Sequence, residues 1–130
     1  LNKFNTKYFI INGVGSDKTP TDSNIIFTVT KGKRALLRYV QAGYVPQRIK
    51  FTNPSGLGSL KVIAEDGRPL ATAETLPVSN SVASRVCVSA ERLDFYFTPT
   101  TVGTYKVEFE FLHWITGAVL GTVYSYIKVV

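Results

Sequence analysis

Methionine is absent, and histidine, cysteine and tryptophan occur once each, as His113, Cys87 and Trp114. One thiol cannot form an intrachain disulfide and says little about redox compartment. A blue copper centre needs a thiolate and two imidazoles, usually with a weak axial ligand. A conventional one therefore cannot be assembled from this chain alone. Zinc would have to recruit carboxylates around the same lone His–Cys pair. Any catalytic triad would depend on one imidazole, and no GxSxG turn is present. No apolar run reaches the roughly 18–20 residues of a membrane-spanning helix, and no basic, hydrophobic leader precedes the first expected strand. The chain starts at Leu1 rather than Met. It reads as a processed protein or a piece of a larger one, which leaves localisation open.

What is present is a globular composition of 45% hydrophobic and 18% charged residues over 130 positions. That length fits one domain, and area scaling buries about two-thirds of the extended-chain surface on folding. A core is therefore expected without disulfide or structural metal. The net charge of +6 permits acidic partners, but attraction needs a patch. The basic residues scatter, with Lys31, Lys33, Arg34 and Arg38 as one cluster and Arg48 with Lys50 as a short pair. A nucleic-acid partner is not expected.

Period-two alternation and short β-branched or aromatic runs dominate, and helical periodicity is hard to find. The pattern predicts strands over 7–12, 24–30, 34–41, 47–52, 59–65, 84–89, 92–98, 103–114 and 119–130, with Leu1–Phe4 adding to an edge. Turn residues fall at 12–13, 31–32, 53–58, 66–69, 98–103 and 116–117. Strands at this spacing predict an antiparallel sandwich or barrel. Gly117 is expected in a left-handed turn position of the last hairpin, where a missing Cβ matters. The glycines of GVG (13–15) and GLG (56–58) lead into no helix, so neither makes a phosphate cradle. Gly56 and Gly58 are expected to let a turn pass close beside another segment.

Along 103–114, Tyr105, Val107, Phe109, Phe111 and His113 share one face, while Lys106, Glu108, Glu110, Leu112 and Trp114 share the other. His113 thus ends an apolar row, where a satisfied core-edge imidazole is the plainest reading. Cys87, in SRVCVS, reads as a small hydrophobe rather than a nucleophile. Asp66 begins a turn, Glu108 and Glu110 face solvent, and no carboxyl has the marks of a burial-tuned acid. The outward row, with Tyr124 and Tyr126 on the last strand, supplies apolar residues among charges, a surface that an interface can use.

Three phrases in order, GKRALLRYVQAG (32–43), VIAEDGRPL (62–70) and VSAERLDFYF (88–97), followed by GTYKVEFEF (103–111), resemble the middle domain of a three-domain multicopper oxidase of the laccase type. YFIINGV (8–14) resembles that domain's opening strand. Arg38 and Gly43 match the family's "RLRLLNAG" phrase, with Val40–Gln41 where Leu–Asn is usual. Val62, Ile63, Ala64, Asp66, Gly67 and Pro69 match "VIAADG-P". Glu91, Arg92 and Asp94 match "GERYDV", with Ala90 replacing the glycine. Gly56–Leu57 stands where the family often has Gly–His. HW at 113–114 lacks the second histidine of the family's HWHG phrase.

The resemblance implies a cupredoxin-like Greek-key β-sandwich over 1–130, a single domain excised from a larger chain. The family's middle domain normally holds no catalytic copper; it spaces the outer domains and often lines the substrate cleft. No cofactor is therefore expected in this domain, and copper is expected in the other domains of the parent. The parent would oxidise phenols, amines or metal ions while reducing dioxygen to water. The expected partners are neighbouring cupredoxin domains of the same chain, across a surface containing Leu112, Trp114, Tyr124 and Tyr126. A secreted or extracytoplasmic location follows from the resemblance alone. An immunoglobulin-like binding or adhesion module is the competing class. A site using Cys87 or His113 with ligands from another subunit is the third.

Overall fold

The computed structural model describes residues 6–15 and 20–130. The expected edge addition at Leu1–Phe4 lies outside them. Ten strands form among the described residues: β1 (Ile26–Val29), β2 (Ala35–Val40), β3 (Gln47–Thr52), β4 (Lys61–Glu65), β5 (Arg68–Thr75), β6 (Val78–Ser79), β7 (Val82–Cys87), β8 (Arg92–Phe97), β9 (Gly103–Leu112) and β10 (Val119–Val129). They make a six-stranded sheet in the order β1-β10-β9-β3-β7-β6 and a four-stranded sheet in the order β2-β8-β4-β5. The chain passes repeatedly between sheets, so β3 lies between β9 and β7, and β8 between β2 and β4. β1 runs parallel to β10, with Ile26 opposite Tyr126; every other pairing is antiparallel.

Alternation decides which side chains fill the space between sheets. Gln47, Ile49 and Phe51 of β3, Val107, Phe109 and Phe111 of β9, and Leu93, Phe95 and Phe97 of β8 point inward and are buried. Rings meet across the layers. Phe51 sets its edge toward Phe95, with centroids 5.4 Å apart, and Tyr39 of β2 stacks on Phe109 at 5.8 Å. Full burial of each such side chain contributes roughly 1.5–3 kcal/mol.

The expected strand over 7–12 does not form. Phe9 and Ile11 pack partly against the core while Tyr8 and Ile10 stay exposed, so the alternation is real. Among the described residues no strand pairs with it, and its pairing there is one bridge, Ile11 to Val14, across the Asn12–Gly13 turn. Phe9 lies 4.9 Å from the Phe111 ring and against Gly121, where a Cβ would sit 2.3 Å from the Phe9 ring. Gly121 is small so that this segment can cross the end of the sandwich.

β5 and β6 escaped expectation. β5 reads RPLATAET and is exposed at every position except Leu70, so it carries no inward apolar stripe to reveal it. The Asp66–Gly67 turn does close a hairpin, with Glu65 opposite Arg68 and both turn residues at positive φ. The GLG stretch behaves as expected: a Cβ on Gly56 would lie 1.8 Å from the Tyr105 hydroxyl, and the Gly56 carbonyl accepts from the amides of Thr100 and Thr101.

Candidate functional site

The β9–β10 connection gathers His113, Trp114 and Ile115. The His113 amide donates to the Ala118 carbonyl at 2.7 Å and the Gly117 amide to the His113 carbonyl at 2.8 Å, with Gly117 at φ +72°. The imidazole then folds over its own loop. Nδ1 accepts from the amides of Ile115 at 3.2 Å and Thr116 at 3.1 Å. In the neutral ring the proton therefore sits on Nε2. The side chain does the work an Asn or Asp commonly does in a turn, satisfying amides that no ladder reaches.

The four residues expected on an outward surface separate. Trp114 is 70% exposed, but Leu112 is 5% and Tyr126 4% exposed. Alternation put Leu112 on the outer face, but its amide bonds the Pro46 carbonyl at 2.8 Å, setting it against the loop before β3. Tyr126 does face outward in register, but it is flanked by Ile26 of β1 and Lys106 of β9. A central strand shades what an edge strand would leave open. Tyr124 is half-buried, with Lys106 Nζ 5.5 Å from its ring centre. The exposed apolar group instead lies at the hairpin: Trp114, Ile115, Val119 and Leu120. A register shift between Val119 and Gly121 accompanies it. Sequence alternation pointed to Trp114 but not to its neighbours, because the bulge breaks the period there.

Cys87 is fully buried in the core, and burial, with Glu91 nearby, pushes its thiol up to about 12. It is held as the unreactive thiol, as a small hydrophobe would be. Gln47 of β3 pairs with Cys87 on one side and Phe111 on the other. Cys87 and Phe111 are thus about 10 Å apart across two strand spacings, and His113 lies two residues farther on. A metal–ligand bond is only about 2.0–2.3 Å. The two scarce donors cannot meet on one ion, and His113 Nδ1 is already engaged. No group of three His, Cys, Asp or Glu side chains suited to a metal occurs among the described residues. The donor set does not fit a blue copper ion.

Many of the acidic residues are paired with basic ones. On the outer face of the six-stranded sheet, Arg48 meets Glu110 at 2.9 Å, Lys50 bridges Glu108 at 3.1 Å and Glu110 at 2.9 Å, and Lys106 meets Glu108 at 2.7 Å. The Arg48–Lys50 pair is therefore no anion site. Arg85 of β7 points inward and joins the sheets, meeting Glu65 of β4 at 2.8 Å and Glu74 of β5 at 2.7 Å. Glu91 corrects the expectation that no carboxyl is tuned by burial. Burial, with Glu65 beside it, raises its pKa against the opposing pull of the Val88 amide and Arg85. Its Oε2 accepts from that amide at 2.8 Å, which makes it a brace of the β7–β8 turn. Arg92 and Asp94 also serve the framework. The Arg92 amide donates to Asp66 Oδ1 at 3.0 Å, tying the Asp–Gly turn to β8, and Asp94 lies 3.8 Å from Arg38.

Taken together, these features define an all-β, two-layer sandwich whose ionisable groups brace the scaffold. Among solved structures it is similar to the blue copper oxidase of Nitrosomonas europaea, with TM-score 0.55 and 21% identity over 79% of this chain and 30% of that one. The fold thus resembles a cupredoxin domain of a copper oxidase, and the chain spans less than a third of that relative's length. A class 5 fimbriae chaperone, CfaA, aligns over 81% of this chain and 52% of its own at 14% identity, but its TM-score of 0.40 carries no argument. No family profile and no curated protein matches the sequence. Among the described residues, no helix is long and apolar enough to cross a membrane.

Proposed function

We propose that this chain is a noncatalytic, copper-free cupredoxin-like domain, the middle one of a laccase-type multicopper oxidase. Its work is to pack against neighbouring domains of the same chain and to wall the parent's substrate cleft. The parent would oxidise phenols, amines or metal ions and reduce dioxygen at coppers held by its other domains. One observation carries the packing role: Trp114 and Ile115, 70% and 71% exposed, project from the β9–β10 hairpin beside the exposed Val119 and Leu120. Large apolar side chains clustered at one loop are a surface that a partner domain can cover. The fold likeness supports the class of scaffold, and the donor chemistry of His113 and Cys87 supports the absence of copper.

The test has two parts. Flanking coding sequence is expected to contain HxH and HCH phrases; repeated sandwich units there would favour the adhesion-type module instead. W114D/I115D in the isolated chain should change stability by no more than about 0.5 kcal/mol, as for other surface changes. The same change in the parent chain should lower its melting temperature. An unaltered parent would remove the hairpin from the interface.

A further inference from the structure

The end of the sandwich crossed by the 6–12 segment holds a cavity of about 480 Å³. Native interiors have few voids larger than a water molecule, whereas small-molecule sites span roughly 300–1,000 Å³. An engineered void of about 150 Å³ is enough for one benzene. We propose that this cavity binds a small, uncharged aromatic molecule of two or so rings carrying one hydrogen-bonding group.

The wall chooses the body of the ligand. Phe9, Phe27, Tyr39, Phe95, Phe109 and Phe111 supply rings from the crossing segment and both sheets. Aromatic walls offer edge and face partners to another ring at centroid separations of roughly 4.5–7 Å. At the mouth, Tyr8, Ile10 and Tyr44 are all exposed, which gives an apolar molecule an apolar path inward.

The wall also sets the charge. Among the described residues no carboxylate lines the cavity, and Arg38 is the one charged residue of its lining. The Arg38 side chain is 77% exposed and lies 3.8 Å from Asp94 on the outer face of the four-stranded sheet, so it does not serve the interior. An ionised ligand would enter without a counter-charge, at a cost of several kcal/mol on order-of-magnitude grounds.

The polar groups fix one end. Tyr39 donates its hydroxyl proton to Gln47 Oε1 inside the wall, and the Gln41 amide is spent on the Val45 carbonyl at 2.6 Å and the Gly43 amide at 2.7 Å. Thr6 Oγ1 differs. Thr6 is among the lining residues, and its Oγ1 is shielded from solvent with no hydrogen-bond partner among the described residues. A buried hydroxyl without a partner loses free energy, and a χ1 rotation of Thr6 toward the cavity would let a ligand carbonyl or hydroxyl restore it.

The experiment titrates the 130-residue chain with 2-acetylnaphthalene and, separately, naphthalene-2-carboxylate, following side-chain NMR signals. The expected result is saturable 1:1 binding of the ketone, with shifts at Tyr39, Phe109 and Phe111, and at least about tenfold weaker binding of the carboxylate. Thr6→Val removes an unpartnered hydroxyl, so the fold should persist while ketone affinity falls several-fold. Leu37→Trp, which grows into the cavity, should abolish binding. No saturable shift with the ketone would overturn the site, as would undiminished binding by a folded L37W chain. Equal or tighter binding of the carboxylate would overturn the uncharged class, and unchanged ketone affinity in T6V would overturn the role of Thr6.

Discussion

Ala90 holds φ at +68° in the turn from β7 to β8. Its amide and the Gln41 amide are tied into reciprocal bonds, Ala90 N–H to the Gln41 carbonyl and Gln41 N–H to the Glu91 carbonyl, both 2.9 Å. The position is therefore fixed from outside. It is the one at which the resembling phrase carries glycine, and the geometry says why: a left-handed conformation costs an L-residue roughly 1–2 kcal/mol. Glycine gives back part of that through its freer unfolded chain, about 0.5–1 kcal/mol. Ala90→Gly should thus stabilise the domain by about 0.5–1 kcal/mol, read as a higher urea midpoint at constant slope. A lower midpoint would mean that the turn is not held at this φ. At this scale the sequence was legible where chemistry is scarce and illegible where the backbone decides. The solitary His113 and Cys87 could be weighed by counting, but the two amides that His113 accepts depend on a turn that no residue pattern specified.

On β9, Glu108 and Glu110 stand opposite Lys50 and Arg48 of β3, with Lys106 one step along the outer row. Desolvation pushes the Glu108 carboxyl upward, but the hydrogen bonds from Lys106 and Lys50 outweigh it, so its folded-state pKa lies below the ordinary value. Lys50 is raised first by Glu110, and Lys106 first by Glu108. A depressed carboxyl stabilises above its unfolded pKa of about 4.3 and stops doing so as pH falls through the lower folded value. The raised lysines contribute below about pH 10.4 and lose that contribution as pH climbs through their folded values. Glu108→Gln should cost up to about 1 kcal/mol at pH 7, as partly exposed pairs do. It should also flatten the loss of stability below pH ~4 in urea melts. An acid limb unchanged by the substitution would show that the ladder does not contribute.

The same row shows what made strands legible: alternation with a firm inner face placed β3 at its observed bounds, 47–52, and β2, β8 and β9 within two residues at either end. β5, almost wholly exposed, offered no such contrast. The 7–12 run had the contrast without a strand to pair with among the described residues, because one-dimensional periodicity reports burial and not hydrogen-bond partners.

For the whole molecule, the layers and their aromatic core were implicit in spacing and composition, while the exposed apolar group at the β9–β10 hairpin was not. Which outward residues stay exposed depends on sheet order: Tyr126 lies on the interior strand β10 and is covered, and Trp114 lies beyond the strand ends and is not. Likewise, His113 and Cys87 are kept apart by β3, a separation that only the topology supplies. The proposed function requires that this scaffold hold no redox copper of its own. It is tested most directly by titrating the purified chain with copper, with bound metal counted by native mass spectrometry and visible absorption recorded together. No stoichiometric copper and no intense thiolate-to-copper band are expected. One tightly held copper per chain, with a blue band that disappears in Cys87→Ala or His113→Ala, would contradict it.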